Sequence, residues 1–352
     1  MDYHHSLQVN QTQDLKLNNG WIPNQDVILY TSKNNSQYVT PATATRTEAN
    51  QQKQKYQRYE PSLEGYPLSL LKNLTSPVDA MDVIFFWHIP KAAGTSTKAI
   101  LTNCFHLSRA EQISLPESYE FIKHVLNVDT STIAGISRAK DNGFAQKDIL
   151  DVVVSSYLHE GSALLTETHR GRLFAMMRDP VDTAISLFFY LGNADWEGTY
   201  REEFRNMTLL EYATSDKNGL RIDNWMTRYL VRKVKGELDE HDIQLAKDIL
   251  QFKCLIGMTH DYKESLRRFD LFFGLDKFSN VGLPCVETYM ANKANKNEHE
   301  AVKRDSKEWE AMAKVNRVDI ELFEFAKKLY EQQGDMLKQY TSATTWNFRQ
   351  TW

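Results

Sequence analysis

The chain has 352 residues, 41% of them hydrophobic and 25% charged, with a formal net charge of −4. That length gives a substantial core to one large domain or to two small ones, and the composition is that of an ordinary globular protein. The mildly acidic balance carries no general attraction for nucleic acid, so an anionic ligand has to be held by a local site.

The three cysteines, Cys104, Cys254 and Cys285, form no C-x-x-C pair and stand near no histidine at zinc-ligand spacing, so no structural metal is expected. Buried thiols in a reducing compartment, or one disulfide plus a spare thiol in a secretory one, both fit an odd count. The apolar run Val83 to Trp87 is far too short to span a bilayer, and the first residues lack a cationic start followed by an apolar stretch. As given, the chain is expected to be soluble, with membrane association only through an anchor lying outside it. N-x-[ST] sequons occur at Asn10, Asn34, Asn73 and Asn206, which would suit a luminal enzyme, although chance also supplies a few in so Asn-rich a chain.

From the N-terminus, residues 1–60 read as a partly flexible extension. Thr31 to Glu60 is dominated by Gln, Asn, Thr, Ser and Lys and lacks a periodic apolar face to offset the entropy of ordering. Trp21, Ile22 and Val27 to Tyr30 interrupt it as a segment able to dock on the body. The body spans 61–340, and 341–352 form a tail. Val83-Ile84-Phe85-Phe86-Trp87 has the β-branched and aromatic content of a strand buried on both faces. A tight turn with Pro90 and Gly94 follows, then a helix over Thr97 to Phe105. Val152 to Val154 and Leu173 to Met177 are further buried strands, the latter running into a helix with Asp179 as cap and Pro180 at its first position. Cys254 to Gly257 reads as a short central strand, Tyr262 to Phe269 as a helix. Asp319 caps a last helix with the apolar face Leu322, Phe325, Ala326 and Leu329. Alternating strands and helices predict an α/β protein with a central, mainly parallel sheet flanked by helices. Ligands in such folds sit at the carboxyl ends of the strands, where these polar turns fall.

The segment His88-Ile89-Pro90-Lys91-Ala92-Ala93-Gly94-Thr95-Ser96 is the most informative. A Gly-containing turn closing onto a helix N-terminus presents backbone N–H groups and the positive end of the helix dipole, an anion site to which Lys91 adds a charge and Thr95 and Ser96 add hydroxyls. It is not a Walker A loop, because Lys91 precedes Gly94 by three residues instead of following it. An ordinary helix cap after a buried strand is the plain alternative. A second site joins Arg178, at the end of a buried strand, with Ser186, eight residues later and two turns into the next helix. A guanidinium and a hydroxyl there suit one phosphate. The competing arrangement is an Arg178–Asp182 ion pair with Ser186 on the surface.

Taken together, H-I-P-K-x-x-G-T-S after a hydrophobic strand and R-D-P-x-x-x-x-x-S later in the chain resemble the paired elements that bind 3′-phosphoadenosine 5′-phosphosulfate (PAPS) in the Golgi carbohydrate sulfotransferases, most closely the uronosyl and heparan sulfate 2-O-type branch. The resemblance implies a P-loop-NTPase-like sulfotransferase fold. It also implies that Lys91, Ala92, Ala93, Gly94, Thr95 and Ser96 hold the 5′-phosphosulfate and that Arg178 and Ser186 hold the 3′-phosphate. Ala93 stands where the family often has a second glycine. Weaker similarity runs from Met81 to Gln333. Ile256 to Asp261 resembles a segment closing a late strand, and Lys293 to Trp309 resembles the loop over the nucleotide, with Lys296, Lys303 and Arg304 as phosphate contacts. A solvated basic surface explains that loop equally well.

The resemblance further implies in-line transfer of a sulfuryl group from PAPS to a hydroxyl, with a carbohydrate acceptor favoured, PAP as product and no metal required. His159, between the two sites, matches the catalytic-histidine segment, and an imidazole titrating near neutrality suits a general base. Glu160 is the rival base. Lys91 and the helix N-terminus would stabilise charge on the departing phosphate. Arg201, Arg205, Arg228, Arg232, Lys233 and Lys235 either line a groove for an anionic glycan or are ordinary exposed charges. A Golgi lumen location follows from the resemblance, a cytoplasmic one from the chain taken as complete. Two other classes compete: a nucleotide kinase or NTPase with a degenerate phosphate loop, and a non-catalytic module binding PAP or sulfated glycans.

Overall fold

The computed structural model describes residues 67–112, 117, 119–144, 150–195, 199–214, 221–275, 282–291 and 301–338. The extension 1–60, the tail 341–352 and Lys296 lie outside them. Among the described residues seven strands form one sheet: β1 Val83–Trp87, β2 Arg109–Ala110, β3 Phe121–Ile122, β4 Val125–Leu126, β5 Val152–Ser155, β6 Gly171–Met177 and β7 Cys254–Met258. Their order is β3-β4-β2-β5-β1-β6-β7, every neighbouring pair parallel except β3 with β4.

Helices follow in chain order as α1 Gly94–Asn103, α2 Ile133–Asp141, α3 Leu158–Ser162, α4 Pro180–Asn193, α5 Leu209–Thr214, α6 Trp225–Val231, α7 Glu240–Lys253, α8 Tyr262–Phe273, α9 Gly282–Ala291, α10 Lys307–Val315 and α11 Arg317–Lys338. Among the described residues no helix is long and apolar enough to cross a membrane.

Strand side chains alternate between the faces, which splits the apolar residues into two cores. Phe85, Trp87, Leu173, Ala175 and Ile256 point toward Val181 and Ile185 of α4, Leu230 of α6, Ala246 of α7 and Leu322 and Ala326 of α11. Ile84, Phe86, Phe174, Met176 and Leu255 meet Ile100 and Leu101 of α1, Leu266 and Phe269 of α8 and Val286 of α9. Covering on both faces explains why the strands read as unbroken apolar runs.

From β1 the chain goes through α1 to β2 on one side and later returns from β5 to β6 on the other. The sheet's change of direction therefore falls at the carboxyl end of β1, the position where open α/β sheets form a crevice. At the far end of β6, Arg172 is 2% exposed and donates to Asp82 at 2.7 Å and to the Asn73 carbonyl at 2.8 Å.

Two expected details differ. The first helix starts at Gly94, three residues before Thr97. Asp319 lies inside α11 and caps a different helix: its buried carboxylate accepts from the backbone N–H of Met226 and Thr227 and from the Thr227 hydroxyl, each at 2.7–2.8 Å. Burial pushes its carboxyl up to about 6. Asp179 and Pro180 stand as expected, with Asp179 accepting from Val181 and Asp182 N–H. Cys104 and Cys285 form a disulfide between the end of α1 and α9, leaving Cys254 buried in β7.

Candidate functional site

Pro90 lacks a backbone donor and cannot extend the ladder, so β1 ends and the chain turns. Lys91 and Ala93 both take φ 62°, the left-handed region that favours glycine. This is the physical reason a glycine suits the Ala93 position. Backbone turned this way forms concavities suited to anions. Ala93 gives α1 no side-chain cap, and the first-turn N–H groups of any helix lack intrahelical acceptors. Gly94 packs on His88: a Cβ there would sit 2.0 Å from the ring Nε2. Burial, followed by the nearby Lys98 charge, lowers the His88 imidazole to about 4, so it supports the turn as a neutral ring. Thr97 fastens the turn from behind through the Ala93 carbonyl and the Tyr262 hydroxyl, both at 3.0 Å.

The second cradle adjoins the first because β1 and β6 are neighbours. Arg178 donates from Nη1 to the Lys91 carbonyl at 3.2 Å. The Lys91 ammonium lies 4.1 Å from the centre of the Tyr190 ring, on α4 one turn beyond Ser186. Such a cation over an aromatic face is attracted by the ring quadrupole. Ser186 is 4% exposed, so it is buried and not on the surface. Asp182 pairs with Arg304 at 3.0 Å, and Asp179 with the same guanidinium at 3.2 Å. Arg304 therefore reaches the second cradle but is engaged by two carboxylates at the start of α4. Lys303 beside it is exposed.

The loop after β5 is sewn to the loop after β1. His88 N–H donates to the Ser155 carbonyl at 2.9 Å, the Ser156 hydroxyl to the His88 carbonyl at 2.7 Å, and the Trp87 indole to the Ser156 carbonyl at 3.2 Å. His159 follows on α3, but it is only 3% exposed, and its Nε2 lies 2.7 Å from the Leu230 carbonyl. Nε2 is then the protonated nitrogen and Nδ1 carries the lone pair. Burial lowers this imidazole to about 4, which corrects the expectation of titration near neutrality: the ring is neutral at pH 7 and a weaker base than a solvated histidine. Glu160 accepts from Arg232 Nε at 2.9 Å.

Most of the basic residues considered for a glycan groove have internal partners. Arg228 bonds Asp223 and three backbone carbonyls, Arg205 the Gly192 carbonyl, and Lys233 the Asp242 carboxylate at 2.6 Å. Lys235 is exposed. Asp239, His241 and Asp242 cluster at the start of α7, where Asp239 and Asp242 close a capping box.

Sequence reasoning missed His88 as the packing partner of Gly94 and Tyr190 as the partner of Lys91. The i, i+4 spacing of Ser186 and Tyr190 on one helix face was the available signal. Fold and site define an α/β protein with two adjoining cationic turns at the carboxyl edge of a mainly parallel sheet. No protein-family model matches the chain, and no curated protein matches it.

Proposed function

We propose that this protein is a PAPS-dependent sulfotransferase with a P-loop-NTPase-like sulfotransferase fold, acting on an acceptor hydroxyl of a carbohydrate. The observation that carries the reading is the contact of Arg178 with the Lys91 carbonyl at 3.2 Å, which puts the two phosphate-type turns side by side. The 5′-phosphosulfate would lie against Lys91 to Ser96 and the N-terminus of α1, and the 3′-phosphate against Arg178 and Ser186. Arg304 would reach that phosphate by leaving Asp179 and Asp182.

In the transfer, a bond forms from the acceptor oxygen to sulfur as the bond from sulfur to the 5′-phosphate oxygen breaks. Lys91 and the α1 dipole stabilise the charge left on that oxygen. The acceptor proton would go to Nδ1 of His159, neutral through burial and closed to solvent in this structure, so the acceptor has to displace the cover over the ring. Glu160, held by Arg232, is the alternative base.

Calorimetric titration with PAP and with ATP, with and without Mg²⁺, tests the reading. PAP should bind without Mg²⁺ and in preference to ATP. Lys91→Ala and Arg178→Ala should each weaken PAP by about 10–100-fold, the value of a charge-assisted hydrogen bond. Mg²⁺-dependent preference for ATP would replace the proposal with a nucleotide kinase. PAP binding without consumption of PAPS across polysaccharides, glycolipids and small alcohols would leave a binding module.

A further inference from the structure

Two of the four sequons fall within the described residues, and their surroundings differ. Asn73 is half-buried, its carboxamide Oδ1 is out of reach of solvent, and its carbonyl receives Arg172. Asn206 is exposed at the end of the 3-10 turn Glu202–Asn206, Met207 after it is extended, and Thr208 is exposed. Thr208 also closes a capping box with Glu211 at the start of α5, so its hydroxyl has a local use as well. The independent observation is the Cys104–Cys285 disulfide, which joins residues 181 positions apart. Bonds of this kind persist in oxidising compartments and are rare in reducing ones. In eukaryotic cells the endoplasmic reticulum lumen is both oxidising and the place where sequons are glycosylated.

We infer that the chain matures in an oxidising secretory compartment and carries an N-linked oligosaccharide on Asn206, with Asn73 unmodified. The Asn206 carboxamide nitrogen bonds to the anomeric carbon of a lipid-pyrophosphate-linked oligosaccharide, the bond from that carbon to the pyrophosphate breaks, and the amide proton leaves with the released lipid pyrophosphate. The position is remote from Arg178. The Glu202–Asn206 turn is bound to the last turn of α4 through Arg201 N–H to Leu191 O at 2.8 Å and Arg205 Nε to Gly192 O at 3.0 Å. Arg178 stands before the first turn, and the 14 residues of α4 between them span about 20 Å. The inference is independent of the sulfotransferase reading.

The test is secretion of the full chain from a eukaryotic cell line behind a cleavable leader, with non-reducing peptide mapping before and after enzymatic release of N-glycans. The Asn206 peptide should be recovered as a glycopeptide whose asparagine is converted to aspartate on release, the Asn73 peptide should be unmodified, and Cys104 and Cys285 should be found in one linked pair. Asn206→Gln should lose the modification and still show the linked pair, which separates loss of the acceptor from loss of folding. An Asn206 peptide recovered wholly unmodified, a glycan on Asn73 instead, free thiols at Cys104 and Cys285, or failure of the chain to leave the cell would each overturn the inference.

Discussion

The two small residues that open α1 are not interchangeable, and exchanging their identities one at a time gives opposite signs. In Gly94→Ala the new Cβ falls 2.0 Å from His88 Nε2 and 2.1 Å from its Cδ2. The imidazole has little room to retreat, being half-buried and packed with its ring tilted at 5.9 Å from Phe86. Overpacking of this kind costs about 1–3 kcal/mol, and alanine's helix preference returns up to about 1 kcal/mol. A net loss of about 1–2 kcal/mol lowers the melting temperature by roughly 1–4 °C for a chain of this size. Ala93→Gly works in reverse. Relief of left-handed strain is worth about 1–2 kcal/mol and the added freedom of the unfolded chain removes about 0.5–1 kcal/mol, so this variant should melt at or slightly above the parent. Thermal melts followed by circular dichroism, with urea titration as a second measure, read both. Gly94→Ala melting at or above the parent temperature would show that His88 does not pack beneath the turn, and the reasoning would fail.

Asp82→Ala leaves the buried Arg172 guanidinium with carbonyl partners alone, and should cost about 3–5 kcal/mol in urea unfolding, seen as a lower midpoint at constant slope. His159 titrates at about 4 in the fold and near 6.5 unfolded. Its contribution to stability is complete above pH 6.5 and lost as pH falls through 4, about 3 kcal/mol in all. His159→Gln should flatten the pH dependence over that window, and parent turnover should stay level from pH 6 to 8, about two to four units above this pKa. Cys285→Ser removes a link across 181 positions, for which loop entropy gives up to about 5 kcal/mol. Reductant should bring the parent down to the variant's unfolding midpoint, and a reductant-insensitive parent would refute the pairing.

The strand cores were legible because a doubly covered strand must be apolar throughout, as in Val83 to Trp87 and Leu173 to Met177. Asp179 before Pro180 announced a helix start by local chemistry alone. The strands β2, β3 and β4 have two residues each, too few to show any period. Asp319 misled because a capping residue looks the same whether it caps its own helix or one 92 positions away. The adjacency of Lys91 and Arg178 follows from β1 lying beside β6, which strand order decides and residue spacing does not. The burial of His159 likewise depends on α6 packing over it, and nothing within Ser155 to Gly161 encodes that cover.

The bond between Cys104 and Cys285 also sets an order of events during synthesis. At about 5–20 residues per second, roughly 10–40 s pass between the emergence of the first sulfur and that of its partner. Cys254 emerges within that interval, the nearer thiol in time and the wrong one. Its place in β7, fully buried between β6 and the helices above and below, removes it from competition once the seventh strand has joined the sheet.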